Sequence, residues 1–310
     1  MKKNVLVVLA IIGFTFYGFA QEDEDNDDDG GSVIQNLTPS QLIKKGQVDI
    51  KWFNNLFTQT RNNTRGDIGT ETVDRSNFFT STLDAFIGVS KNRRVNLGLV
   101  FEFRSNTVVG RGAFDVFQFD GETGTARSGL TSIAPSIKFV PFKNAPRFSI
   151  QTSFVIPLIE SEFQDGVFFD QDGFTLQNRF FYDLPLGGKN WQLFFDLNTE
   201  LNFGDDLSFP PGSRRSEGSF ANESLRLIPG VFISYFPSSN FTIQSFIQHF
   251  QLVDIGGFDF EQDLSAVGTG VKYQLTKTLN IEGLFSYFFR GNDTGLGESY
   301  NIGLRYVSPK

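Results

Sequence analysis

From Gln47 to the C-terminus the chain alternates apolar with polar positions in about twelve stretches of roughly ten to fifteen residues, the period-two pattern of strands whose two faces meet different surroundings. The last of these but one illustrates it. Leu279, Ile281, Gly283, Phe285, Tyr287 and Phe289 alternate with Asn280, Glu282, Leu284, Ser286, Phe288 and Arg290. One face suits lipid and the other tolerates water. The strands so drawn span residues 47–61, 76–89, 95–106, 129–140, 148–159, 174–184, 191–203, 223–236, 241–253, 258–275, 279–291 and 297–307.

The connections fall into alternating classes. Short ones lie at 91–94, 143–147, 187–190, 237–240 and 276–278, and longer ones at 62–75, 107–128, 160–173 and 204–222, with the last two of this second class, 254–257 and 292–295, short. Tight turns alternating with long loops predict an all-β, antiparallel up-and-down transmembrane β-barrel of about twelve strands, with periplasmic turns and extracellular loops. An even strand count places both termini on one side. Tyr182, Tyr235, Tyr273 and Tyr306 each close a downward strand and Trp191 opens an upward one. These five are expected at one height as an interfacial aromatic belt. A soluble β-sandwich also alternates, but it explains neither the belt nor the loop pattern.

The N-terminal region divides into three parts. Residues 1–20, with Lys2 and Lys3 before an apolar run that ends at Phe19-Ala20, read as a secretory signal peptide. Beyond it no window of about eighteen uninterrupted apolar residues exists, so a membrane passage here has to be made by strands. Residues 21–36 are an acidic leader expected to be disordered. Over 37–46, Thr38 as N-cap, Pro39 in the first turn, Gln41 completing a capping box and Gly46 as terminator predict a short helix. It either packs at the barrel mouth or serves as a turn before the barrel at 47–310.

The 38 phenylalanines, scattered along strands, suit lipid-facing surface better than one packed core. Formal charge is −8, and removing the two signal lysines and the seven acids of the leader leaves −3, so there is no basic patch for nucleic acid. Absence of cysteine excludes disulfides, thiolate metal sites and a cysteine nucleophile.

With the apolar face outward, the polar set is predicted to line the lumen. It comprises Asp84, Glu102, Arg104, Lys138, Arg179, Asp196, Glu200, Arg226, Lys272, Glu282, Arg290 and Arg305, with Gln151, Gln177 and Asn301. Counting from the tight turns puts Lys272 opposite Glu282 and Arg179 opposite Asp196. Such charges either line a polar pathway that selects a solute or form a paired network that fills a closed barrel. Inward Phe181, Phe194 and Phe232 favour the filled version. The loops 107–128 and 204–222 are candidates to fold inward as a constriction.

No catalytic residue, metal site or cofactor is assigned. The acidic run through Asp25, Asp27 and Asp29 lacks the glutamate that closes a calcium loop, and Asp170, Asp172 and Gly173 form only a short acidic turn. Outer-membrane phospholipases are similar to this chain in size and use a Ser-His-Asn set facing lipid, with the serine two residues after the histidine. Here His249, the sole histidine, is followed at that position by Gln251.

The leader Asn36-Leu37-Thr38-Pro39-Ser40, the first strand through Trp52-Phe53-Asn54-Asn55-Leu56-Phe57 and the Phe-rich alternation resemble outer-membrane barrels of Bacteroidota-type Gram-negative bacteria. The layout is similar to barrels associated with uptake of aromatic or other hydrophobic compounds. The last strand, Tyr300, Ile302, Leu304 and Tyr306, resembles the signal read by the barrel-assembly machinery, although it ends Val307-Ser308-Pro309-Lys310. The resemblance implies a Gram-negative outer-membrane location, with outer-membrane lipid and the assembly machinery as partners. The function expected is a passive channel for small solutes; the competing expectation is a filled barrel that anchors a partner through its loops or leader.

Overall fold

A membrane-spanning sheet has to close on itself, because an open edge would leave backbone polar groups unpaired in hydrocarbon. In the computed structural model, which describes residues 40–63, 69–187, 190–204, 223–257 and 261–309, the sheet does close. Its twelve strands are β1 (Val48–Asn63), β2 (Thr70–Gly88), β3 (Val95–Thr107), β4 (Ala126–Phe139), β5 (Phe148–Pro157), β8 (Phe174–Pro185), β9 (Trp191–Phe203), β10 (Ser224–Ser238), β11 (Phe241–Asp254), β12 (Glu261–Gln274), β13 (Leu279–Asn292) and β14 (Thr294–Val307). Each pairs antiparallel with its neighbours in sequence, and β1 closes the ring on β14. The two-residue strands β6 (Phe163–Gln164) and β7 (Val167–Phe168) form a small hairpin within the β5–β8 loop. The signal segment, the leader and nearly all of the loop at 204–222 lie outside the described residues.

Burial follows the alternation. On β1 and β2, Ile50, Trp52, Leu83 and Ile87 face outward, whereas Asp49, Lys51, Asp84 and Phe86 face inward in paired register. Trp52 is 48% exposed and Phe86 only 7%. The five belt residues stand on the outward face at the short-turn end, with Trp191 and Tyr235 in register and their rings 4.7 Å apart.

Residues 40–46 are not helical. Lys45 and Gly46 make a turn, Gly46 at φ +84°, and the Gly46 N–H bonds to the Gly88 carbonyl at 2.8 Å, extending strand pairing where a helix would need intrasegment bonds. Ser40, Leu42 and Ile43 are buried. Gly88 faces inward, and a Cβ there would stand 2.2 Å from the Lys44 carbonyl oxygen, so this segment crosses the inner side of the wall at the short-turn end. The glycine is what permits that approach.

Two long loops behave oppositely. The β3–β4 loop bends back over the outer wall: Val116, in a 3₁₀ turn at Asp115–Gln118, is fully buried against the outward Leu56 and Phe79. Ser105 Oγ donates to the Val116 carbonyl at 2.6 Å, and Asn77 Nδ2 donates to the carbonyls of Arg111 and Gly112. The β5–β8 loop instead turns inward. Asn106, on the inner face of β3, donates to the carbonyls of Phe168 and Phe169, both at 2.9 Å, and the Phe169 ring lies against inward Gly129. The expectation that 107–128 narrows the lumen is therefore corrected, because its apolar residues find partners on the outer wall.

Candidate functional site in the barrel lumen

Alternation delivers the charged residues of successive strands to one interior surface, and long basic side chains reach acids across the ladder. Glu282 on β13 is directly opposite Lys272 on β12, and it accepts from two lysines: Lys272 Nζ at 3.2 Å and Lys51 Nζ at 3.0 Å, the latter arriving from β1 across β14. Arg305 grips Asp49 with two bonds, of 2.9 and 2.6 Å. Glu200 takes Arg226 at 2.8 Å, Gln177 at 3.0 Å and Asn198 at 2.8 Å. Lys138 lies inward opposite Asn96 and Gln151, its ammonium 5.1 Å from the Phe181 ring centroid. Asp84 is in register with Lys51.

Arg179 and Asp196 bond at 2.7 Å, but not from opposite positions. Arg179 faces Asn198, and Asp196 faces Phe181. Leu186 N–H bonds the Trp191 carbonyl, so the loop is residues 187–190, whereas a tight turn placed at Gly187 and Gly188 would have set Arg179 opposite Asp196. The ion pair is diagonal.

Toward the loop end, Arg104 bonds Glu102 at 2.7 Å and reaches Asp170 of the inward loop at 3.1 Å. Arg127 pairs with Asp165 of the same loop. The acidic turn at Asp170 is thus a tether between loop and wall.

Arg290 is not in the lumen. A bulge inserts Phe289 between Phe288, opposite Ala266, and Arg290, opposite Ser265, so the alternation slips and Arg290 shares the outward face with Phe289. Its side chain is 57% exposed and bonds Asp263 at 2.6 Å. Beside it on the outer wall, His249 Nδ1 lies 2.9 Å from Ser265 Oγ, with Gln251 Oε1 3.4 Å from Nε2. A serine does meet the histidine, but from the neighbouring strand. Among the described residues no group of acids and His suited to a metal ion occurs.

Sequence reasoning missed Asp49 and Lys51, although the outward phase of Ile50 and Trp52 implied them. It anticipated Phe181, Phe194 and Phe232 on the inner face but not that Phe246 joins them in one file. Phe181, Phe194, Phe232 and Phe246 line successive strands with centroids 6.0, 5.5 and 5.0 Å apart. Phe57, Phe288 and Phe250 form a second inward group nearer the loop end.

No family model and no curated protein matches the chain. Solved structures do. The COG4313 outer membrane channel from Pseudomonas putida F1 superposes with a TM-score of 0.62 at 11% identity, over 87% of this chain and 97% of that one. The β domain of the Bordetella autotransporter BrkA gives 0.53 at 12% identity, over 84% and 99%. At such identities the likeness is one of fold. The fold is that of the outer-membrane β-barrels.

Proposed function

We propose that this chain is a passive channel for small solutes in the outer membrane of a Gram-negative bacterium, with the inward β5–β8 loop narrowing its lumen. One observation carries the reading. Side chains that point inward remain open to water: Arg179 is 36% exposed, Lys51 34%, and Lys272 and Arg104 25% each. A barrel packed solid by its own side chains would enclose them. The channel carries no catalytic role in this reading. Export through a cleaved signal, insertion by the barrel-assembly machinery through β14, and contact with outer-membrane lipid at the apolar outer wall belong to the same proposal.

The filled-barrel reading draws support from a different place, the 40–46 segment across the inner wall and the doubly bonded Glu282. Liposome swelling separates the two. Proteoliposomes in isotonic solutes of graded size swell for the smallest and stop above a size limit if the lumen conducts, and do not swell for any if the barrel is closed.

A further inference from the structure

The lumen's formal charges balance closely, but their exposure does not. In the Lys51–Glu282 pair the base is 34% exposed and the acid 9%; in Lys272–Glu282, 25% and 9%; in Arg179–Asp196, 36% and 8%; in Arg104–Asp170, 25% and 8%; in Arg226–Glu200, 22% and 13%. Two pairs are nearly even, Arg104–Glu102 at 25% and 23% and Arg305–Asp49 at 12% and 15%, and one at the loop end runs the other way, Arg127–Asp165 at 11% and 58%. The bias has a structural cause. Aspartate and glutamate are short and stay at the wall, where Gln177 and Asn198 also donate to Glu200. Lysine and arginine carry their charge on long stems and present it to water. Each of the five base-exposed pairs is therefore a dipole with its positive end toward the path, and their bases stand on β1, β3, β8, β10 and β12, around the barrel.

We infer that the lumen prefers anions, and that the solutes it passes are small and negatively charged. The inference rests on the channel reading above. At those five pairs an ion on the path meets ammonium and guanidinium groups first, while the carboxylates that balance them sit behind in less accessible positions. A narrow, water-filled passage with low-dielectric walls magnifies such a difference.

The test is the reversal potential of the full-length mature chain in a planar bilayer under a potassium chloride gradient, followed by potassium acetate. The inference predicts a potential displaced toward the anion's equilibrium value, with the displacement shrinking as salt rises. Two substitutions should move it oppositely. Arg179→Gln removes an exposed cation and lowers the anion preference, whereas Glu282→Gln leaves Lys51 and Lys272 unopposed and raises it. Arg290→Gln, on the outer wall, should leave it unchanged. Conductance that is unselective or cation-preferring overturns the anion inference and leaves the channel standing. A lack of conductance from protein shown to be folded and inserted overturns both.

Discussion

Asp170 Oδ1 lies 3.1 Å from Arg104 Nη2, joining a loop that leaves the barrel after β5 to the inner wall of β3. The aspartate side chain is 8% exposed, so the bond is sheltered from competing water. Asp170→Asn keeps the shape and removes the charge. Charge-assisted hydrogen bonds contribute about 1.5–3 kcal/mol, so the detached loop should become more populated by roughly tenfold or more. The two Asn106 bonds to the loop backbone remain as a partial restraint. Single-channel records should show a larger or noisier open state than the parent.

The closeness of the wall predicts a contrast between two glycines in adjacent strands. A Cβ on inward Gly270 would sit 2.3 Å from the Gly283 carbonyl oxygen and 2.9 Å from Leu284 Cα, whereas one on outward Gly283 would meet nothing nearer than the Asn301 carbonyl at 4.0 Å. Backbone cannot move aside as a side chain can. Gly270→Ala should cost about 1–3 kcal/mol, as overpacking does, and Gly283→Ala should stay within about 0.5 kcal/mol of the parent. Urea titration in detergent micelles or lipid, following the folded band on a gel, measures both.

The β3–β4 loop presents Phe114 at 75%, Phe119 at 50% and Phe117 at 45% exposure, and its rings continue the outer wall through Phe79 and Phe103. A patch of this kind on an outer-membrane barrel is expected to lie against lipid. With Trp52 and Trp191 replaced by Phe, the fluorescence of Phe114→Trp should be quenched by brominated acyl chains. Quenching by aqueous iodide alone would contradict that placement. A variant retaining only Trp191 reports barrel insertion in the same vesicles.

His249 and Ser265 form a hydrogen-bonded pair, but Ser265 is only 9% exposed. An acyl ester has little access to its Oγ. The protein should therefore not be labelled by a fluorophosphonate probe that reacts with nucleophilic serines, and Ser265→Ala should leave conductance at the parent value.

Much of the barrel was legible because the two faces of each strand differ in polarity, an apolar outer face and a charged inner one, which gives a period of two that outward residues such as Ile50, Trp52, Leu97 and Leu99 display directly. Trp191–Phe203 matches the drawn strand at both ends, and β1 and β2 simply rise further than drawn, to Asn63 and from Thr70. What alternation cannot carry is a slip in phase. The bulge at Phe289 sends Arg290 outward although its sequence position parallels Glu282. The placement of the turn had a similar effect on Arg179, whose partner is a diagonal neighbour. Which loop turns inward depends on contacts between distant segments. Asn106 and Arg104 look alike whether or not Phe169 and Asp170 reach them, and the Phe-rich loop that does not enter the lumen reveals its role only where Leu56 and Phe79 receive Val116.

Single-channel conductance in planar bilayers at high salt, comparing the parent with Arg179→Ala, Glu282→Ala and Arg290→Ala, tests the proposed water-filled path most directly. The account predicts discrete steps that change in size with the first two substitutions, whose side chains face the lumen, and remain at the parent value with the third. Silence from folded, inserted protein, or steps that respond equally to Arg290→Ala, would contradict it.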